Sequence, residues 1–152
     1  MGALMLALQV AMASLPNIHV TAVLVILTAV FFSWRAMYST AVFILLEGLV
    51  YSFGLWWLSY LYIWPLFTAV AVLMRRVDSA LIWAVIAGIF GLCYGALCAI
   101  PYLFMGGWSM AVSYWISGIP FDLTHCAGNF VLTLVLYKPL SKAMRTILKT
   151  RG

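Results

Sequence analysis

The chain has 152 residues, 67% of them hydrophobic and 7% charged, with a formal net charge of +5. A water-soluble domain carries about 25% charged and about 45–50% apolar residues, so this composition excludes a soluble domain of any size. The basic excess points to the cytoplasmic loops of a membrane protein, where Lys and Arg accumulate, and not to nucleic acid.

At about 20 residues per membrane-spanning helix, and fewer where a helix is buried among others, the length holds roughly five to seven spans. One compact bundle over residues 1–152 is expected, with no second domain. The three cysteines, Cys93, Cys98 and Cys126, lie in apolar runs without CxxC pairing and read as small buried hydrophobes. The N-terminus has no charged segment leading to a small-residue cleavage site, so its apolar run is expected to be a retained helix.

Breaks in the apolar pattern predict six helices, over about 3–15, 20–33, 38–53, 60–74, 79–104 and 121–147. The first stops at Pro16-Asn17, the second near Trp34-Arg35 and the third at Gly54. The fourth ends at Arg75-Arg76-Val77-Asp78 and the fifth at Gly106-Gly107. The sixth follows Gly118-Ile119-Pro120.

Charge gives the direction. Arg35, Arg75 and Arg76 fall in alternate turns of this six-helix scheme, and Lys138, Lys142, Arg145, Lys149 and Arg151 fall in the tail. The intervening turns at 16–19, 54–59 and 105–120 hold no Lys or Arg. Every basic residue is therefore on one side, with both termini, and the positive-inside rule makes that side cytoplasmic. In the tail, Lys138, Lys142, Arg145 and Lys149 recur at helical spacing, as in a helix end among anionic headgroups.

The opposite side gathers aromatics: Trp56, Trp57, Tyr60, Trp64, Tyr102, Trp108, Tyr114 and Trp115. An interfacial belt accounts for some of them; the crowding on one side also fits a pocket that stacks a flat ligand. Glu47, in the third helix, and Asp122, at the start of the sixth, are ionisable groups at membrane depth. Such groups are costly there and are functional-site candidates. Asp122, His125 and Asn129 are spaced by three and seven residues, so they share one helical face. Asp122 is also placed to cap the first turn of its helix, His125 to bond a neighbouring helix, and Asn129 to join two helices. No ligand cluster for a metal accompanies them. In the first helix Ala3, Ala7 and Ala11 form a small-residue ridge that permits close helix approach. Gly88, Gly91, Gly95 and Ala99 form a comparable face on the fifth, expected to pack internally.

These residues resemble a family. The run Tyr114-Trp-Ile-Ser-Gly-Ile-Pro-Phe-Asp122-Leu-Thr-His125-Cys-Ala-Gly-Asn129 and the Ala3, Ala7, Ala11 ridge look like the substrate-binding S components of energy-coupling factor (ECF) vitamin transporters. The likeness extends over essentially the whole chain. It implies an all-α integral membrane protein of six helices with both termini cytoplasmic, in the bacterial cell membrane, with a pocket near the outer face. It further implies high-affinity capture of a vitamin-like micronutrient, then inward delivery with a transmembrane coupling subunit and two cytoplasmic ATPases. Asp122, His125, Asn129 and Glu47 would supply polar contacts, and Trp56, Trp57, Tyr60, Trp64 and Trp108 would stack or cover the cargo. Ala3, Ala7 and Ala11 would dock the coupling subunit. The family's pattern often has Glu after Pro-Asn-Ile, where this chain has His19, so no carboxylate role carries over there.

The chain has no GxxxxGK[ST] motif, so ATP hydrolysis is assigned to partners and the chain is read as a non-enzyme without a cofactor. Two other readings compete: an accessory subunit of another membrane complex, and an intramembrane enzyme using Asp122 and His125 as an acid–base pair. Pyridoxine-like, pantothenate, lipoate and queuosine-precursor cargoes all fit a polar-aromatic pocket of unspecified shape.

Overall fold

A computed structural model of the chain describes residues 1–13 and 19–150. The turn predicted at Pro16-Asn17 and the tail residue Arg151 lie outside the described residues. All regular structure among the described residues is helical: α1 (Gly2–Ala11), α2 (Thr21–Phe32), α3 (Ala36–Tyr51), α4 (Leu55–Leu73), α5 (Ala80–Cys98) and α6 (Ile100–Thr150), with a 3₁₀ turn at Ser33–Arg35 between α2 and α3. Four helical stretches, Thr21–Tyr51, Leu55–Leu73, Ala80–Cys98 and Ile100–Lys149, are long and apolar enough to cross a membrane. The first of these is divided at Ser33, whose φ of 56° lies in the left-handed region, and α2 and α3 pack against one another.

α2 is the central rod. Every residue from Thr21 to Ala29 is buried, as expected of a segment apolar on all sides. The other helices surround it, and their outward faces stay apolar: Leu49, Leu66, Leu73, Leu81, Ile89 and Val135 are all exposed. Apolar surface on this scale suits hydrocarbon better than water. α1 lies close on α3, where a Cβ at Gly2 would fall 2.4 Å from the Ser39 carbonyl oxygen.

The tightest pairing joins α5 to α6. A Cβ on Gly91 would sit 2.7 Å from the backbone carbonyl of His125, and Gly88 faces Phe130 and Cys126. Glycine here lets two backbones approach, in the manner of small-residue helix contacts in membranes.

Two features differ from the sequence expectation. Residues 105–120 are read from the sequence as an outer turn, yet α6 is helical from 108 onward and contains Pro120. The chain breaks instead at Gly106 and Gly107, where φ reaches 71° at Gly107. Proline is tolerated inside such a helix when hydroxyls satisfy the freed backbone groups. Ser117 Oγ donates to the Tyr114 carbonyl and Thr124 Oγ1 to the Pro120 carbonyl, on either side of the proline; neither bond reaches the Ile116 carbonyl that the proline frees. In consequence Asp122 stands in mid-helix and cannot cap a helix start.

The basic end of the bundle is also tied together. Lys138 Nζ lies 3.3 Å from Asp78 Oδ2, and Arg145 Nη2 lies 3.7 Å from Asp78 Oδ1. Trp83 Nε1 and the Tyr137 hydroxyl both donate to the Val77 carbonyl. Two of the tail's four regularly spaced cations thus meet the α4–α5 turn.

Candidate functional site

The end of the bundle away from Arg35, Arg75, Arg76 and Lys138 is hollow. Three helices supply most of its walls, with side chains at helical spacing. Tyr60 and Trp64 are one turn apart on α4, Phe90 and Tyr94 one turn apart on α5, and Asp122, His125 and Asn129 lie along one face of α6.

The aromatic members interlock. Trp64 lies 5.5 Å from Phe90 and 6.5 Å from Tyr94, centroid to centroid, and Tyr60 lies 5.9 Å from Trp64. Tyr94 reaches His125 at 5.0 Å, and His125 meets His19 edge-on at 5.7 Å. These are offset and edge-to-face contacts, the arrangements that the ring quadrupole favours.

Three cavities adjoin at Tyr94. One of about 170 Å³ is bounded by Gln9, Tyr60, Trp64, His125 and Asn129. A second, of about 270 Å³, is bounded by Gly95, Cys98, Tyr114, Phe121, Asp122 and His125. The third, of about 290 Å³, is bounded by Trp56, Ser59, Tyr60, Tyr102 and Tyr114. Tyr94 borders all three. Small-molecule sites run from about 300 to 1,000 Å³, so the two larger cavities come close to the size that holds a small ring compound.

The polar groups are few. Asp122 is 3% exposed; its Oδ1 accepts the Gly95 N–H at 2.8 Å, while Oδ2 is buried with no hydrogen-bond partner among the described residues. Gly95 makes this possible, since a Cβ there would fall 2.4 Å from Oδ2. Asn129 is buried on the 170 Å³ cavity. On the wall of the 170 Å³ cavity, Thr21 Oγ1 donates to Gln9 Oε1 at 3.2 Å, and Gln9 Nε2 donates to Glu47 Oε1 at 2.8 Å. This chain of bonds links α2, α1 and α3.

The structure therefore brings Asp122, His125, Asn129, Trp56, Tyr60 and Trp64 to the walls of adjoining cavities. Glu47 is buried one bond behind them, held by Gln9. Trp57 turns away: its Nε1 donates to the Ile44 carbonyl at 2.8 Å and its ring abuts Phe53. Trp108 is 78% exposed and borders a separate apolar hollow with Ala99 and Trp115. Ala3, Ala7 and Ala11 are exposed along the outer face of α1. Among the described residues, no three His, Cys, Asp or Glu side chains are grouped to hold a metal.

Sequence reasoning passes over Gln9, Phe90, Tyr94 and Tyr114 as wall residues. Gln9 does carry a signal, because it is the chain's only glutamine and stands in an otherwise apolar helix. No protein-family model, curated protein or solved structure matches the chain.

Proposed function

We propose that the chain is the membrane-embedded substrate-binding subunit of an ECF-type importer. It captures a vitamin-sized micronutrient at the outer face of a bacterial cell membrane and delivers it inward with a coupling subunit and two ATPases. In this reading all six helices traverse the bilayer, with both termini in the cytoplasm.

One observation carries the proposal. Three neighbouring cavities that share Tyr94, walled by aromatic rings and a few polar groups, occupy the end of the bundle opposite the basic residues. Under the positive-inside rule that end faces outward, where an importer first meets its cargo. The site is concave, mostly apolar and sparsely polar, the usual character of a small-molecule site. The Ala3, Ala7 and Ala11 face is exposed and smooth, which suits close approach by a partner helix such as one of the coupling subunit.

Tryptophan-fluorescence titration of the detergent-purified chain against water-soluble vitamins and precursors tests it, since Trp56 and Trp64 border the cavities. The expected result is saturable quenching by one compound at nanomolar to low-micromolar concentration, weakened by Asn129→Ala in protein that remains folded. A flat response from folded protein would overturn the binding role and favour an accessory subunit that acts through partners alone.

A further inference from the structure

The charge of the cavity narrows the cargo further, given that the chain is a binding subunit as proposed above. Asp122 is nearly fully buried on the wall, and only one of its two oxygens has a donor. A buried carboxylate oxygen without a partner is costly, and a ligand N–H removes that cost.

No Lys or Arg among the described residues is placed to do so. Seven of the chain's eight Lys and Arg are among the described residues, Arg35, Arg75, Arg76, Lys138, Lys142, Arg145 and Lys149, and none of the seven borders any of the three cavities. Residues 14–18 read Ser-Leu-Pro-Asn-Ile and bring no ionisable side chain. The two wall histidines touch at 5.7 Å, where a pair of imidazolium charges would repel. At most one of them is charged, and Asp122 is the one carboxyl that borders these cavities among the described residues.

The remaining surface has the same preference. The faces of Trp64, Phe90 and Tyr94 are electron-rich and attract cations and polarised N–H edges. A carboxylate or phosphate on the cargo would meet the Asp122 carboxyl with no described Lys or Arg beside it, in a medium of low dielectric.

We infer that the cargo is a planar nitrogen heterocycle, neutral or cationic, that presents N–H donors to Asp122, and that micronutrients carrying a carboxylate or phosphate are refused. Asp122 reads the donor edge, the aromatic walls hold the ring faces, and His125 and Asn129 set the orientation from the next turns of α6.

Calorimetric titration of the full chain in detergent tests this with two series of compounds. One contains amine- or amide-bearing heterocycles: pyridoxamine, thiamine, adenine and guanine. The other contains anions: pantothenate, lipoate and nicotinate. Binding confined to the first series is expected, with a loss of about 10- to 100-fold on Asp122→Asn. That substitution keeps the shape and leaves Oδ1 for the Gly95 N–H, but it turns an amide donor toward the ligand's donor. Tight binding of an anion, or unchanged affinity in D122N, overturns the inference and leaves the binding-subunit reading standing. Absence of saturable binding in both series, from protein with an intact thermal transition, overturns both. The comparison of the two series on the unmodified chain decides the matter even where D122N fails to fold.

Discussion

At the scale of single residues, the hydrogen-bond chain Thr21–Gln9–Glu47 fixes three helices behind the cavity. Glu47 is 2% exposed, and the Gln9 amide is its one hydrogen-bond donor among the described residues. Gln9→Leu is expected to leave the carboxyl buried and unsatisfied, a loss of about 1–3 kcal/mol. Glu47→Gln keeps an acceptor oxygen for Gln9 and should cost well under half as much. Thermal unfolding of the two variants in detergent measures the difference; equal losses would show that Gln9 contributes packing and not a hydrogen bond. The polar face of the site is legible from the sequence, because ionisable and amide groups are scarce in an apolar chain and each one stands out. Offsets of three and seven place Asp122, His125 and Asn129 together, and the structure sets them along adjoining cavities. Phe90 and Tyr94 are not legible in this way. An aromatic ring within an apolar helix reads the same whether it faces a core, a lipid or a ligand.

At the scale of elements, the contact between α5 and α6 sets the geometry of the site. Gly91 and Gly95 lie one turn apart, but a methyl group at each meets a different obstacle. At Gly91 it strikes the backbone of His125, which cannot move without separating the helices. At Gly95 it strikes the carboxylate of Asp122, which can rotate away. Gly91→Ala is therefore expected to destabilise the fold by about 1–3 kcal/mol, the usual range for overpacking. Gly95→Ala should largely retain the fold while displacing the Asp122 oxygens and weakening ligand binding. Melting temperature and ligand affinity, measured on both variants, separate the two effects; a G95A chain with native affinity would remove the Gly95 contact from the site. The helix boundaries show what a local pattern can carry. Charges and turn residues mark the ends of α2 to α5 to within a few positions, except that α4 begins at Leu55 and α5 stops at Cys98. Gly118 and Pro120 mislead because proline breaks a helix by local rules, whereas α6 stays continuous where it packs against α5. Gly107, with its positive φ, is the stronger punctuation.

At the scale of the whole molecule, the bundle separates its charge along its long dimension. The described basic residues stand at one end, where Asp78 pairs with Lys138 and Arg145, and the cavities lie toward the other. Those ion pairs are more than half exposed on both sides, so they contribute little to stability and serve better to fix the tail against the α4–α5 turn. The separation makes a topological prediction. In a cysteine-free background, Ser52→Cys lies in the turn before α4 and Arg75→Cys lies just after it, and both positions are exposed. A membrane-impermeant maleimide applied to intact cells should label Ser52→Cys, and should label Arg75→Cys only after the membrane is opened. α4 has 19 residues, enough at about 1.5 Å per residue to carry the chain across most of a hydrocarbon core. Labelling of both sites from the same side would mean that α4 does not cross. Labelling of Arg75→Cys alone from outside would invert the bundle, place the aromatic cavity in the cytoplasm, and end the importer reading.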